Sequence, residues 1–175
     1  GQRTVALSGI TTGATNEIET LTVTATSSNP SLITAPTVSY TSASSSGLIS
    51  FATVTNATGA ATITVTVSDG QAQSSTIART FTVTVTNVND RPTISDIANQ
   101  TIAEGNATAT LPFTVGDVET SASSLTISGT SSNPTLIPNA GIDFTGSGAN
   151  RNVKATPAAT QFGSSTITVT VTDSA

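Results

Sequence analysis

Apolar and hydroxyl-bearing residues alternate along much of this chain with a period of two. In Thr62–Val67 the apolar Ile63, Val65 and Val67 are interleaved with Thr62, Thr64 and Thr66. A strand places one such set on a buried face and the other on a wet one. Phe81, Val83 and Val85 alternate in the same way with Thr80, Thr82, Thr84 and Thr86, and Leu21, Val23 and Ala25 form a further face. Shorter runs predict strands around Val38–Tyr40, Leu48–Val54, Leu111–Val115, Leu125–Ile127, Ile142–Phe144 and Val153–Ala155. Turn formers separate them at Asn29-Pro30, Asp69-Gly70, Glu104-Gly105-Asn106, Asn133-Pro134 and Gly146-Ser147-Gly148.

The pattern returns after 104 residues. TATSSNPSLI at 24–33 reappears as SGTSSNPTLI at 128–137, and ATITVTVSD at 61–69 as STITVTVTD at 165–173, with one offset and no gap. Between 4–71 and 108–175, 20 of 68 positions are identical. Leu7, Leu21, Leu32, Ile33, Ile63, Val65 and Val67 meet Leu111, Leu125, Leu136, Ile137, Ile167, Val169 and Val171, and Tyr40 meets Phe144. A threonine-rich chain matches Thr to Thr by chance, but chance does not keep SSNP and the following Leu-Ile in register. Many short strands in units of about 100 residues predict an all-β chain of two tandem Greek-key β-sandwich repeats. Their expected bounds are 1–90 and 91–175, with the break centred on Asn87–Pro92. The second repeat opens with Pro92–Glu104, for which the first has no counterpart, and the first closes with Ile77–Val88, for which the second has none. The expected explanation is a piece of a longer array; the alternative is that neighbouring chains donate the missing strands.

Composition narrows the field. Apolar residues make up 35%, against roughly 45–50% in an average globular chain. The difference is made up by 38 Thr and 24 Ser, residues suited to half-wet pleated surfaces and turns. Disorder is excluded by the patterning and by a charged share of only 9%. The formal charge is −5 with five cations in all, so no basic stripe exists to track a nucleic acid or an anionic membrane. No apolar run approaches the ~20 residues of a bilayer span, so no membrane insertion of this segment is expected. With no His and no Cys, metal thiolates, disulfides and the commonest catalytic bases are all missing. We therefore expect no enzyme and no catalytic residues.

VTVTNVNDRPTIS at 83–95, NQTIAEGNATATLPFTVGDVET at 99–120 and STITVTVTD at 165–173 together resemble the cadherin-like and Ig-like tandem repeats of large bacterial surface proteins of the adhesin type. The resemblance implies an extracellular protein of the bacterial cell surface. It also implies calcium between repeats. The cadherin linker pattern DxNDNxP is resembled by Asn87-Val88-Asn89-Asp90-Arg91-Pro92, one residue shorter before the proline, with Asn87 in place of the first Asp and Arg91 in place of the last Asn. The early acidic pair corresponds to Asp117-Val118-Glu119 and the late acid to Asp173, with Asp69 as its equivalent in the first repeat. Asn89, Asp90, Asp117, Glu119 and Asp173 are thus the metal ligands that the resemblance implies. The alternative is an ordinary turn at Asn89-Asp90, strand ends at Asp69 and Asp173, and solvated loop acids at Asp117 and Glu119.

Three roles follow from this reading. The first is a structural spacer or stalk in a surface or adhesion protein, whose partners are neighbouring repeats of the same chain. The second is a filament or matrix subunit that pairs strands with other copies. The third is a carbohydrate-binding module, which calls for exposed aromatic residues, whereas Tyr40, Phe51, Phe144 and Phe162 mostly read as core. Lys154, the single lysine, stands between Val153 and Ala155 and is expected to point outward.

Overall fold

The computed structural model describes residues 1–13, 19–71 and 75–174. The chain divides into two units, Gly1–Asn87 and Val88–Ala175, so Val88, Asn89 and Asp90 go with the second unit.

The first unit contains β1 (Gln2–Ser8), β2 (Thr22–Ser27), β3 (Thr37–Ser39), β4 (Ser46–Ala52), β5 (Gly59–Ser68) and β6 (Thr76–Val85). They form two antiparallel sheets, β1-β4-β3 and β2-β5-β6. Alternation does what the pattern demands: Ile63 and Val65 on β5 and Ile49 and Phe51 on β4 are buried together with Leu32, Ile33 and Ala61. The Phe51 and Phe81 rings lie 6.3 Å apart, tilted by 44°.

The second unit contains β7 (Thr93–Ile94), β8 (Leu111–Gly116), β9 (Thr126–Ser131), β10 (Ile142–Ser147), β11 (Asn150–Ala155) and β12 (Ile167–Thr172), with one 3-10 turn at Asn139–Gly141. Its sheets are β10-β11-β8-β7 and β12-β9. Phe113, Val115, Leu125, Leu136, Ile137, Ile142, Val153 and Ala155 are buried together, and the Phe113 and Phe144 rings meet edge-on at 6.4 Å. Within the opening stretch Pro92–Glu104, Thr93 and Ile94 form the short strand β7 on β8. Beyond them the Gln100 amide donates to the carbonyls of Ala98 and Asn99. Among the described residues no polar or charged residue is buried, and no helix is long and apolar enough to cross a membrane.

The repeated SSNP motif has one structural job in both units. Where β2 ends, the Ser28 N–H donates to Thr62 O at 2.9 Å while its hydroxyl accepts the Thr62 N–H at 2.9 Å. Ser132 and Thr166 repeat this pair of bonds, at 2.9 Å each. A side-chain oxygen thus takes the place of a ladder carbonyl, and the strand is released into a turn without leaving a donor bare. The Asn29 carbonyl then accepts from Leu32 and Ile33 N–H, and the Asn133 carbonyl from Leu136 and Ile137 N–H. The turn drives Leu32 and Ile33, at 1% and 0% exposure, into the core.

The two copies are not superposable strand for strand. β2–β5 and β9–β12 share a register: Val23 faces Val67, and Ile127 faces Val171. β11 does not follow the 104-residue offset. Leu7 faces Gly47, which carries over to Leu111 facing Arg151, yet Leu111 faces Val153. On the other side Val38 faces Ile49, which carries over to Ile142 facing Val153, yet Ile142 faces Ala155. β11 is displaced by two residues against both neighbours. An even displacement leaves every side chain on its own face, so the core survives it.

Ile63→Ala is expected to destabilise the first unit by about 2–5 kcal/mol, the cost of a cavity at a fully buried site. Urea unfolding followed by the fluorescence of Tyr40, the single tyrosine, measures it. Ile167→Ala, at the equivalent but half-buried position, is expected to cost less than half as much, read from hydrogen exchange of β9.

Candidate functional site

All five residues implied as metal ligands fall in the second unit, where two sets of hydrogen bonds, Asn89 to Asp173 and Asp90 through Glu119 to Asp117, meet at the Asn89–Asp90 peptide. Pro92 follows the stretch Asn89–Arg91, whose chain runs into the short edge strand β7. The Asn89 amide donates to Asp173 Oδ2 at 3.0 Å, just past the end of β12. The Asp90 N–H donates to Glu119 Oε2 at 3.1 Å. Glu119 and Thr120 in turn donate their N–H groups to Asp117 Oδ1, at 3.0 and 2.6 Å, so Asp117 closes the turn after β8. Thr93 Oγ1 bonds Gly116 O, and Ser95 exchanges bonds with Thr114 through its own N–H and its hydroxyl. Residues 89–95 are therefore fastened to the second unit through side chains at four positions, Asn89, Asp90, Thr93 and Ser95.

The alternative readings of these residues are visible too. Asp69, the first-repeat equivalent of Asp173, lies just past the end of β5 and accepts the Gln71 N–H at 2.9 Å. Calcium asks for about six to eight oxygens, usually with several carboxylates among them. Asp117 Oδ2 is buried without a hydrogen-bond partner, but Asp117 Oδ1, Glu119 Oε2 and Asp173 Oδ2 already accept N–H donors. Among the described residues no three acidic side chains are grouped as they would be to hold a metal ion.

Lys154 is exposed on β11 and stands opposite Asp143 of β10, an opposite-charge pair across the ladder. Of the aromatic residues expected in the core, Phe51 is buried and Tyr40 and Phe144 are half-buried. Phe162 is not: it is 85% exposed. It follows β11 in the loop to β12, on the rim of a groove of about 490 Å³ in the second unit. Ile97, Ile102, Leu136, Val153, Ile167 and Val169 are among the apolar residues that line it.

Two sheets closing on one apolar core by alternate residues define an immunoglobulin-like β domain. Residues 89–175, the second unit but for its first residue, match the family model described as a bacterial Ig domain. No curated protein matches the chain. Among solved structures, the surface layer protein SbsC, domains 1-6, is similar at 20% identity and a TM-score of 0.38, over 91% of this chain and 19% of that one. Domains 4 and 5 of the S-layer protein SbsC are similar at 21% identity and a TM-score of 0.36, over 91% of this chain and 69% of that one. The chain thus spans well under two thirds of the first of these structures.

Asn89→Ala removes one exposed hydrogen bond and is expected to cost under about 1 kcal/mol of the second unit's stability. The discriminating readout is local. Amide exchange of Asp90 should stay slow in Asn89→Ala and become fast in Glu119→Ala, which removes the acceptor of its N–H.

Proposed function

We propose that this chain is a structural spacer from an extracellular protein of a bacterial surface, built from two copies of one Ig-like Greek-key module. The observation that carries the reading is the repeat itself. The same serine clamp, the same turn and the same β2–β5 register recur 104 residues on, each time over a separate apolar core. A module that closes its own core adds length with each copy and needs nothing from its neighbours. The match to a bacterial Ig domain supports a surface setting, and the absence of His and Cys from the sequence supports a non-enzymatic role. Threonine on the open strand faces solvates the module without charge, which suits a segment that stays soluble while under tension.

The hydrogen-bonded row from Asp173 through Asn89 and Glu119 to Asp117 is proposed to do the fastening for which cadherin-like repeats use calcium. Melting of the second unit is then expected to be the same in calcium and in chelator. A rise of several degrees in calcium would reassign the five residues to a metal site.

Pulling single molecules from both ends tests the spacer reading. Two separate unfolding steps are expected, each releasing roughly 300 Å of chain for a unit of this length. A single step of twice that length would mean one cooperative body, and the reading would fail.

A further inference from the structure

We propose that Asp69-Gly70 is a self-modifying site, at which the first unit converts its own Asp69 to isoaspartate with the help of two neighbours in the same turn. In the sequence of 175 residues this is the single place where an Asp or Asn precedes a Gly. Asp69 lies just past the end of β5, on the connection to β6, and its N–H donates to Ser75 O at 3.2 Å. Gly70 is exposed, has a φ of +78°, and has nothing within 4 Å of the place a Cβ would take. The Gly70 nitrogen therefore reaches the Asp69 side chain without the crowding that a side chain of its own would bring.

Two hydrogen bonds prepare the ring closure. The Gln71 N–H donates to Asp69 Oδ1 at 2.9 Å. It folds the carboxyl forward along the chain and sets a donor on the oxygen where negative charge gathers when Cγ is attacked. The Gly70 N–H donates to Ser68 Oγ at 3.2 Å, so an acceptor already stands on the hydrogen that the attacking nitrogen gives up. In the step itself the Gly70 nitrogen bonds to Asp69 Cγ and the Cγ–Oδ2 bond of the protonated carboxyl breaks. Oδ2 leaves as water, carrying its own proton and the one from Gly70, and a succinimide ring remains. Water then adds at either ring carbonyl. Addition at Cγ restores Asp69; addition at the main-chain carbonyl carbon leaves Gly70 attached through the side chain, which is isoaspartate. One water is lost and one regained, and nothing is oxidised or reduced.

The equivalent position of the second unit is not built this way. Asp173 is followed by Ser174, whose side chain crowds the attacking nitrogen, and Asp173 Oδ2 accepts the Asn89 amide at 3.0 Å. Isomerisation of Asp69 inserts one more carbon into the main chain between β5 and β6, beside their last ladder pair, Ser68↔Thr76. It also takes the carboxyl away from the Gln71 N–H. The two copies of the module therefore age differently, the first by loosening the turn that closes its longest hairpin.

The test keeps the whole chain in warm, near-neutral buffer for weeks and follows methyl transfer by an isoaspartate-specific methyltransferase. Methyl uptake is expected to rise with time toward one group per chain, with fragment masses placing the altered residue at 69. Asp69→Glu, whose longer side chain closes its ring far more slowly, is expected to stay at the background. Ser68→Ala keeps the Asp-Gly pair and removes the acceptor; it is expected to slow the conversion about fivefold, the worth of one ordinary hydrogen bond. The proposal is overturned if the chain takes up no more methyl than Asp69→Glu, if the altered residue lies elsewhere, or if Ser68→Ala converts at least as fast as the unaltered chain. None of these outcomes bears on the number of unfolding steps under force, so this site and the spacer role fail separately.

Discussion

A serine hydroxyl standing in for a backbone carbonyl is the constraint on which each unit turns. At Ser28 and again at Ser132, the strand has to leave its ladder and cross toward the other sheet. Leaving would take the ladder partner from the N–H of Thr62 or Thr166. The hydroxyl accepts that N–H, and the following Asn carbonyl gathers the next two donors. Leu32 and Ile33, or Leu136 and Ile137, are thereby delivered into the space between the sheets, which explains why SSNP and Leu-Ile are repeated as a block while the residues around them differ.

The strands and the duplication were legible because period-two alternation and an ungapped 104-residue offset are direct consequences of pleat and register. β5 and β12 fall where Ile63–Val67 and Ile167–Val171 alternate. Two things were hidden. The displacement of β11 leaves no mark, since moving a strand by two residues preserves the order of apolar and polar positions on each face. The exposure of Phe162 was hidden for a different reason: hydrophobicity reports what a side chain prefers, and only the arrangement of neighbouring strands decides whether a place exists for it.

The acidic residues of the second unit illustrate how motif and placement diverge. Asn89, Asp90, Asp117, Glu119 and Asp173 were implied by the resemblance to cadherin-like repeats, and in the second unit hydrogen bonds run among them. What spacing does not encode is the direction of each oxygen. Asp117 Oδ1 serves two N–H groups of its own turn, and Glu119 reaches the backbone of Asp90. A carboxylate that accepts backbone donors does structural work with the same atoms a cation would need, so one short motif supports either chemistry depending on rotamer and turn.

The two-residue displacement of β11 has an evolutionary reading. A pleated strand has only two faces, so sliding it by one position inverts its interior and exterior, while sliding it by two restores them. Divergence between tandem copies of this module is therefore quantised. Length changes that move a strand against its neighbours can accumulate in pairs and are purged when odd. Arrays descended from one ancestral module should then drift in steps of parity, their cores remaining interchangeable long after their loops have ceased to align.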